Sequence, residues 1–259
     1  ADETELLFTS ARHPSAPRGQ QDIFVATRPN ATAPWGEPIN AGGMINDSLG
    51  DDFSLRLSSD GKALYYASNR TGGFGKGDMY VARRTSRRDP WSRAVNLGPL
   101  LNTDAFEAFP TPGADGLTLY FNRSTTFDSQ DSDIWVSTRA SPDSQWAAPQ
   151  KVSGGINSAR AEFSPALSAD GNSMYFASER GGSVELWVAK RAGHTREWGT
   201  PEKLAAVNTP LAMTLAPFLS NDQRSLYFMS ARPESARVAC TPMTCFDRLD
   251  LYRATASCH

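Results

Sequence analysis

One phrase recurs along this chain at nearly constant intervals, and its clearest copy occupies residues 162–180, EFSPALSADGNSMYFASER. The aspartate of its turn returns every 52 to 55 residues, at Asp60, Asp115, Asp170 and Asp222. A tryptophan keeps step with that turn, at Trp35, Trp91, Trp146 and Trp198. A period of roughly fifty residues is typical of propellers, solenoids and repeat arrays, so the repeat restricts the fold to these architectures.

Each repeat carries the same parts in the same order, as the third copy illustrates. Leu119–Phe121 and Asp133–Val136 are short apolar and aromatic runs bounded by turn-forming residues, a pattern typical of buried strands. A weaker outer strand is predicted near Lys151, and Phe163–Leu167 begins the next unit. Four short strands per unit, without apolar periodicity of 3.6 residues, indicate one propeller blade per unit. The predicted fold class is therefore all-β, a β-propeller.

Five such hairpins predict five blades of three to four antiparallel strands, in a single domain over residues 1–259. The first unit lacks the innermost strand, and the last unit lacks the tryptophan-containing strand. Either the two end blades are three-stranded, or the ends are trimmed, in which case six blades are the alternative. The predicted repeat units cover approximately residues 1–50, 51–105, 106–160, 161–212 and 213–259.

Composition and charge narrow the class of protein. At 28.1 kDa and 39% hydrophobic residues, the chain can bury the interfaces between the blades of one domain. A net charge of −2 and a pI of about 6.0 give no electrostatic reason to expect nucleic acid. No apolar run approaches the length of a membrane span, so we expect no transmembrane segment. We expect a monomer, and a signal peptide removed on export is compatible with the sequence.

The three cysteines lie near the end of the sequence. Cys240 and Cys245 bracket a Thr-Pro-Met-Thr turn, a spacing that a disulfide can close if the turn brings the two Cα atoms together. A zinc knuckle is the alternative, but no histidine or cysteine pair stands at zinc spacing. Cys258 is then a free thiol or a partner of one of the other two. A disulfide indicates a periplasmic or extracellular location.

Repeated charged positions receive a structural interpretation first. The turn aspartates are expected to accept backbone N–H bonds. An arginine follows the second strand of most units and an acid opens the third strand, so we predict an ion pair across the mouth of each hairpin. In the third unit the arginine is shifted by one place, to Arg123, and its hairpin mouth is expected to differ. The arginines are Arg12, Arg70, Arg180 and Arg232, and the acids are Asp22, Asp78, Asp133, Glu185 and Asp250.

The position that opens the innermost strand is a candidate functional site. It is occupied by Asp52, Glu107, Glu162 and Thr214. In a propeller the innermost strands line a central channel, so these side chains are expected to meet at its mouth. They could bind a cation, grip sugar hydroxyls, or act as acid and base on a glycosidic bond. The structural alternative is that each carboxylate caps the adjacent turn, at Asn46, Asn102, Asn157 or Asn208.

One loop is a candidate calcium site. Asp128, Asp131 and Asp133 place three acids within a short segment between two strands, and they could hold Ca²⁺ if backbone carbonyls contribute. A solvated loop is the alternative. The sequence indicates no other cofactor.

Irregular loops are the candidates for partner recognition. Residues 12–21 and 233–248 depart most from the repeat, and binding residues are often carried by such loops. The sequence lacks a Gly-x-Ser-x-Gly elbow, and its glycine-rich segment 72–77 lies between two strands and so fails the context of a nucleotide loop. No class of enzyme is signalled by these motifs.

The repeat resembles a known family in residues 58–70, 71–81 and 91–110, which read SSDGKALYYASNR, TGGFGKGDMYV and WSRAVNLGPLLNTDAFEAFP. These strings resemble the TolB-type, WD-like propeller repeats, and more narrowly the repeats of bacterial envelope proteins that often accompany an OmpA-like domain. The resemblance covers nearly the whole chain. It implies a periplasmic scaffold, a peptidoglycan-associated protein, or the non-catalytic propeller of a larger enzyme.

Two functions follow as hypotheses. The first is a non-catalytic envelope propeller that binds or scaffolds a protein, glycan or cell-wall fragment through the channel mouth or the irregular loops. The alternative is a carbohydrate-active enzyme, a hydrolase or lyase, that uses the carboxylates Asp52, Glu107 and Glu162. The quasi-equivalence of these carboxylates argues against catalysis, because an acid and a base need different environments.

Overall fold

The structure is a computed structural model, which describes residues 4–11, 20–193, 197–210, 212–220, 222–231 and 250–255. Within those ranges the chain forms strands, turns and loops, and every named element is a β-strand. Five antiparallel sheets form a five-bladed β-propeller. The all-β, five-bladed expectation is thereby confirmed.

The strands fall into the five sheets in chain order. The first sheet contains β1 (Glu5–Ser10), β2 (Asp22–Thr27) and β3 (Ile39–Asn40). The second contains β4 (Asp52–Leu57), β5 (Ala63–Ser68), β6 (Asp78–Arg83) and β7 (Val95–Asn96). The third contains β8 (Phe106–Pro112), β9 (Thr118–Ser124), β10 (Asp133–Thr138) and β11 (Gln150–Lys151). The fourth contains β12 (Glu162–Leu167), β13 (Ser173–Ser178), β14 (Glu185–Lys190) and β15 (Glu202–Lys203). The fifth contains β16 (Thr214–Leu219), β17 (Ser225–Ser230) and β18 (Asp250–Thr255).

The order of strands within each sheet follows the order along the chain, so every connection joins neighbours. The first and last sheets have three strands each, and the others have four. The three-stranded end blades therefore agree with the sequence, which lacks one strand pattern at each end.

The turn aspartates behave as the sequence predicts. Ser58 and Ser168 donate hydroxyl hydrogen bonds of 2.6 and 2.5 Å to Asp60 and Asp170. Backbone N–H groups two residues further along donate to the same carboxylates. These bonds favour the ionised form, so the serine hydroxyls first and the backbone N–H bonds next lower the pKa of Asp60 and Asp170.

Each innermost strand contains one residue with a left-handed backbone. The residues are Ser54, Phe109, Ser164 and Ala216, with φ between 51° and 55°. In β4, β12 and β16 the register with the neighbouring strand shifts at this place. A residue of positive φ beside a register shift is a β-bulge, and its recurrence makes it part of the blade.

The chain divides into two compact units, residues 1–119 with 137–149 and residues 120–136 with 150–259. In the first unit the core packs around Ile23, Ile45, Leu64 and Tyr66, which are fully buried. In the second unit one core cluster contains Ile134, Ile156, Met174 and Phe176. A second cluster there contains Val184, Leu186, Leu215 and Phe228. The prediction of a single domain stays a prediction.

An arginine stacks on each repeated tryptophan. The guanidinium carbon lies 4.2 to 4.5 Å from the indole centroid in all four cases. The arginine stands seven residues before the tryptophan every time, a spacing that is visible in the sequence. The pairs are Arg28 with Trp35, Arg84 with Trp91, Arg139 with Trp146, and Arg191 with Trp198. Such cation–π contacts fix the loop after the third strand of each of the first four blades.

Candidate functional site

All four residues that open the innermost strands are buried. Asp52, Glu107, Glu162 and Thr214 each have 0% exposed surface. The backbone N–H of each donates to the carbonyl of a residue that stands just before the third strand of the preceding blade, as in the 2.8 Å bond from Glu107 to Gly77. The position is thus part of the connection between consecutive blades.

Asp52 has two strong partners. Its carboxylate accepts a bond of 2.6 Å from the backbone N–H of Asp47, and it lies 2.5 Å from the guanidinium of Arg70. Arg70 also donates to the carbonyl of Ile45 and to the hydroxyls of Tyr66 and Ser68. Burial raises the pKa of Asp52, although Arg70 and the Asp47 N–H act in the opposite direction.

Glu162 occupies the same position in the fourth sheet and is more fully bonded. It accepts bonds of 2.7 and 2.6 Å from the backbone N–H and the hydroxyl of Ser158, and a bond of 2.7 Å from the hydroxyl of Ser178. The guanidinium of Arg180 lies 3.3 Å from the same carboxylate. Arg180 also donates to the carbonyls of Gly155 and Ile156, so it ties the loop to the hairpin.

Glu107 and Thr214 complete the set. Glu107 accepts bonds of 3.0 and 2.6 Å from the backbone N–H and the hydroxyl of Thr103. The hydroxyl of Thr214 lies 3.3 Å from that of Ser230. The chemistry of the position is therefore that of a turn cap in three blades and of a hydroxyl contact in the fourth.

An asparagine in the turn before each innermost strand bonds that turn to the third strand of the preceding blade. Asn46 accepts a bond from the N–H of Ile23 and donates to its carbonyl, both at 2.9 Å. The same pair of bonds joins Asn102 to Met79. Asn157 and Asn208 do the same with Ile134 and Leu186. The carboxylates cap the residue after this asparagine, which agrees with the structural alternative stated above. Their convergence at one channel mouth stays a prediction.

The predicted ion pair across the hairpin mouth is wrong in the blades where it can be checked. Arg70 pairs with Asp52 and Arg180 pairs with Glu162, not with the acids that open the third strands. The reason is local, because Ser68 and Ser178 accept a bond from the guanidinium Nε and direct the side chain toward the innermost strand. Arg12, Arg232 and the side chain of Asp250 lie outside the described residues.

The acids that open the third strands bind the outermost strand instead. Asp22 and Asp78 each accept a bond of 2.7 Å from an asparagine, Asn40 and Asn96. Asp133 and Glu185 form ion pairs with Lys151 and Lys203 at the equivalent position. These acids therefore fasten the short fourth strand to the blade.

The shifted arginine of the third unit stacks on the same two aromatic positions as the arginines of the second and fourth sheets. The guanidinium carbon of Arg123 lies 4.7 Å from the ring centroid of Trp135 and 5.6 Å from that of Phe121, and that of Arg180 lies 5.2 Å from both Trp187 and Phe176. These contacts do not distinguish the third hairpin mouth, so its expected difference stays a prediction.

The acidic loop does not form a cluster. Asp131 accepts bonds from Thr125 and Ser129, and these bonds, the Ser129 hydroxyl first, lower its pKa to about 2. Asp128 binds the hydroxyl of Thr126, and Asp133 is paired with Lys151. Within the described ranges, no three histidine, cysteine, aspartate or glutamate side chains are grouped so that they could hold a metal ion. The structure thus does not bring the three acids together.

Several candidates fall outside the described residues. Cys240, Cys245 and Cys258 do so, as does most of the irregular loops at residues 12–21 and 233–248. Of the first loop, Gln20 donates a 2.5 Å bond to the carbonyl of Gly50, and the N–H of Gln21 donates to Asp51. The described ranges contain no helix with the length and hydropathy needed to cross a bilayer.

One feature that the sequence predictions missed is a set of exposed apolar side chains at one end of the second sheet. Met44 and Leu49 lie in the segment that enters β4, Phe74 lies between β5 and β6, and Leu100 follows β7. Antiparallel pairing of Asp52 with Ser68 and of Tyr80 with Asn96 places these segments at the same end. Their exposed fractions are 52%, 79%, 50% and 52%. We call Met44, Leu49, Phe74 and Leu100 the loop face.

The loops of this face are closely packed. Gly75 lies against the carbonyls of Thr103 and Ala105, with no room for a side chain. Lys76 donates a 2.8 Å bond to the carbonyl of Ala105. An apolar residue within a glycine-rich polar loop, as at Phe74, is the signal that could have indicated this face from the sequence.

No protein-family model matches the sequence, and no curated protein sequence is similar enough to count as a relative. Solved structures of similar fold include TolB from Acinetobacter baumannii, with 15% identity, a TM-score of 0.59 and coverage of 91% of this chain. An endo-arabinase from Bacteroides thetaiotaomicron VPI-5482 has 14% identity, a TM-score of 0.61 and coverage of 99% of this chain. An α-L-arabinofuranosidase from Lactobacillus brevis has 14% identity, a TM-score of 0.60 and coverage of 98%.

The extent of these matches differs between the neighbours. The chain spans 49% of the TolB structure, 90% of the endo-arabinase and 87% of the arabinofuranosidase. At such low identity a structural likeness establishes a shared fold and no shared activity. The chain is therefore similar in fold to TolB, to the endo-arabinase and to the arabinofuranosidase, and it has the five-bladed β-propeller architecture.

Proposed function

We propose that this protein is a non-catalytic binding or scaffold propeller of the bacterial envelope, and that it holds a protein or a cell-wall fragment on the loop face. The observation that carries the proposal is the exposure of Met44, Leu49, Phe74 and Leu100 at one end of one sheet. Exposure of large apolar side chains to water costs free energy, and a group of them on the loops at one end of a sheet is a candidate interaction site.

The polar residues beneath this face support a platform that is already ordered. Asp52 caps the segment that carries Leu49, and Asn46 fixes it to Ile23. The loop that carries Phe74 is held by bonds from its backbone N–H groups to Asp78. Loops ordered before binding lose less conformational entropy on contact, which favours recognition by a fixed surface.

The hydrolase alternative uses the same carboxylates for chemistry. Against it stands their environment, because Asp52, Glu107 and Glu162 are buried and are each bonded to a turn of their own. A glycosidase needs one carboxyl that reaches the leaving group and another that reaches the sugar carbon or a water. The likeness to arabinan-degrading enzymes keeps this alternative worth testing.

An envelope location completes the proposal. It rests on the resemblance of the repeats to TolB-type propellers and on the pair Cys240 and Cys245, which would form a disulfide outside the cytoplasm. Titration of free thiols with and without reductant, on protein exported to the periplasm, tests that pair directly.

The experiment compares Leu49→Ser/Phe74→Ser with the control Val95→Ser, which removes another exposed apolar side chain, from the outer strand β7. Photo-crosslinking in envelope extracts, read by mass spectrometry, is expected to give a specific partner with the wild type and the control. The double variant should lose it, and equal capture by all three proteins would contradict the proposal.

A second arm addresses catalysis. Wild type and Glu107→Gln/Glu162→Gln are incubated with arabinan, other oligosaccharides and muropeptides. We expect no turnover by either protein. Turnover that disappears in the double variant, while its thermal stability stays near that of the wild type, would establish the enzyme and refute the binding role.

A further inference from the structure

The loop between β6 and β7 carries more positive charge than the equivalent loops of the first, third and fourth sheets. Its sequence, residues 83–93, is RRTSRRDPWSR, with five arginines and one aspartate. The whole chain has a net charge of −2, so this charge is local to the loop. The equivalent loops of the first and third sheets contain one arginine and one acid each, and that of the fourth sheet contains three Lys or Arg residues and one acid. These loops are residues 27–37, 138–148 and 190–200.

Two of the five arginines have roles within the blade. Arg84 stacks on Trp91 and pairs with Glu5 at 2.6 Å. The Nε of Arg87 donates a 3.1 Å bond to the carbonyl of Asp60, in the turn between β4 and β5. An arginine at the place of Arg84 occurs in each of the equivalent loops, whereas the other four places hold no arginine there. The construction of the blade therefore accounts for Arg84 and Arg87.

The remaining three arginines, Arg83, Arg88 and Arg93, present their side chains to water. All three residues are exposed, and within the described ranges their guanidinium groups form no hydrogen bond or ion pair. Their backbone, by contrast, is held in place. The N–H of Arg83 donates a 3.0 Å bond to the hydroxyl of Ser92, and the N–H of Ser92 donates a 2.7 Å bond to the carbonyl of Arg83. The loop thus presents three guanidinium groups to solvent from a hydrogen-bonded backbone.

The composition of the loop narrows the class of partner. Among the described residues, none of the exposed large apolar side chains lies between residues 83 and 93, and Trp91 is half-buried beneath Arg84. The centre of a protein–protein interface is enriched in apolar and aromatic side chains, so a folded protein is a poor match for this loop. Basic segments bind anionic lipid surfaces by charge, and the guanidinium fork matches the geometry of a phosphate group. The phosphate headgroups of a membrane are therefore the partner that fits.

Nucleic acid also carries phosphate groups, but the chain does not match it. Domains that bind nucleic acid have a basic face and a pI above about 9, whereas this chain has a pI of about 6.0. Single strands stack their bases on exposed aromatic rings, and the ring of Trp91 is already covered by Arg84. An anionic lipid surface requires neither feature.

The basic loop lies at the end of the second sheet opposite to the loop face. β6 begins at Asp78, just after the loop that carries Phe74, and it ends at Arg83. The basic loop and Phe74 therefore lie at opposite ends of the same strand. Contact through one end leaves the other end accessible.

We propose that the β6–β7 loop attaches this protein to the surface of an anionic phospholipid membrane, through Arg83, Arg88 and Arg93. Each guanidinium donates charge-assisted hydrogen bonds to headgroup phosphates. All of residues 83–93 are described, and none of them exposes a large apolar side chain that could insert, so the contact stays at the headgroups. This inference is separate from the function proposed for the loop face, and neither depends on the other.

Co-sedimentation with vesicles measures the binding. Vesicles of equal parts phosphatidylglycerol and phosphatidylcholine provide the anionic surface, and vesicles of phosphatidylcholine alone are the neutral control. The protein should bind the anionic vesicles only. Binding should weaken as salt rises from about 0.1 M to about 1 M, which shortens the screening length from about 10 Å to about 3 Å. No binding to the anionic vesicles, or equal binding to both kinds, would overturn the proposal.

Two charge-matched variants locate the contact. Arg83→Gln/Arg88→Gln/Arg93→Gln removes the three solvent-facing guanidinium groups of the loop. The control Arg160→Gln/Lys190→Gln/Arg224→Gln removes three exposed positive charges elsewhere, so the two variants have the same net charge. The loop variant should bind the anionic vesicles about a hundredfold more weakly than the wild type, the factor that corresponds to about 1 kcal/mol for each arginine. The control should bind nearly as well as the wild type, and equal losses in the two variants would refute the assignment to this loop.

Competing anions identify the ligand on the wild-type protein. Inorganic phosphate, added at constant ionic strength, should not release the protein from the vesicles. Poly-glutamate should bind more weakly than vesicles that carry the same concentration of negative charge. Release by phosphate would assign the loop to a soluble anion, and stronger binding of poly-glutamate would assign it to an acidic protein, so either result overturns the proposal.

Hydrogen exchange gives the location without a variant, and so answers the question even if the loop variant fails to fold. Anionic vesicles should slow exchange in residues 83–93 and leave residues 72–77, beside Phe74, unchanged. Slowing in residues 72–77 with no change in residues 83–93 would place the contact at the loop face and contradict the proposal.

Discussion

The second and fourth sheets are copies of one repeat, and they hold one of their two repeated acids in the same way and the other in different ways. In both, an arginine and a serine hold the buried acid at the start of the innermost strand, as in Asp52 with Arg70. They differ at the acid that opens the third strand. In β6, Asp78 accepts bonds from the N–H groups of Phe74 and Gly75 and from Asn96.

In β14 the equivalent acid is Glu185, which pairs with Lys203 at 2.5 Å. Its second oxygen is buried without a hydrogen-bond partner in the described part of the chain. The loop before β14 is shorter than the loop before β6, and it supplies no N–H bond to that acid. The two sheets thus share the arginine clamp on the buried acid, whereas the fastening of the outermost strand differs with the length of the loop beside it.

The largest expected effect is on the inner clamp, which the two sheets share. Arg70→Ala and Arg180→Ala each leave a fully buried carboxylate without its cation, which typically costs about 3 kcal/mol of unfolding free energy. Urea denaturation measures the loss. Lys190→Ala, at an exposed residue of β14, is the control and should change stability little. A clamp variant as stable as this control would show that the clamp is not required.

Substitution of the arginines that stack on tryptophan should lower the free energy of unfolding by a smaller amount, and by different amounts in the second and fourth sheets. Arg84 stacks on Trp91 and also forms two bonds, of 2.8 and 2.6 Å, with Glu5. Arg191 stacks on Trp198 and donates to the carbonyl of Gly171 and the hydroxyl of Tyr120. Loss of the two charge-assisted bonds to Glu5 adds to the loss of stacking at Arg84, so Arg84→Ala should cost about 2 to 3 kcal/mol and Arg191→Ala about 1 to 2 kcal/mol. Thermal and urea unfolding measure both, and the reverse order would refute the importance of the Glu5 contact.

The acids that open the third strands, Asp78 and Glu185, should contribute unequally to stability. Asp78→Asn turns one of its acceptor oxygens into an N–H₂ group that faces donors, which should cost about 1 to 2 kcal/mol. Glu185→Gln removes only the ion pair with Lys203, whose side chain is half exposed. Its stability should change by about 0.5 kcal/mol or less. Matching losses in the two variants would mean that the difference between the loops has no energetic consequence.

The smallest effect is on the pH dependence of stability. Burial raises the pKa of Asp52 above its ordinary value of 3.8, so the folded protein holds the proton of this carboxyl group more tightly than the unfolded chain does. The contribution of Asp52 to the free energy of unfolding is therefore present below pH 3.8 and is lost as the pH rises above 3.8. Hydrogen bonds, that of Ser168 first, lower the pKa of Asp170, so its contribution is lost as the pH falls below 3.8. Asp52→Asn and Asp170→Asn should therefore change the slope of stability against pH in opposite directions. Urea unfolding between pH 3 and pH 6 measures both slopes, and changes of the same sign would contradict the assigned environments.

The architecture could be predicted because the same pattern of strands and turns occurs five times in the sequence. Strand positions, the three-stranded end blades and the role of Asp60 and Asp170 in their turns all follow from residues close together in the sequence. Local patterns determine these features, and local patterns are what a sequence displays directly.

The partner of each buried arginine could not be predicted in the same way. Arg70 lies close to Asp78 in the sequence and farther from Asp52, but the serine at position 68 directs it to the latter. The choice depends on geometry across the sheet, which spacing does not contain. The wrong expectation for Arg180 and Glu185 has the same cause.

The candidate site was only partly accessible to sequence reasoning. The sequence located Asp52, Glu107 and Glu162 at equivalent positions, and it left open whether they cap turns or bind a ligand. Burial decides how much of each carboxylate a ligand can reach, and burial depends on contacts with the preceding blade. The loop face was missed because its residues come from segments far apart along the chain.

All six tryptophans of this protein lie beneath an arginine, since Arg123 and Arg180 cover Trp135 and Trp187 as well. A guanidinium held against an indole changes the polarity around the fluorophore, and that environment is lost when the blade opens. Variants that retain one tryptophan at a time would thus give each of the first four blades an optical reporter of its own. They would reveal whether the blades unfold together in one cooperative transition or one after another.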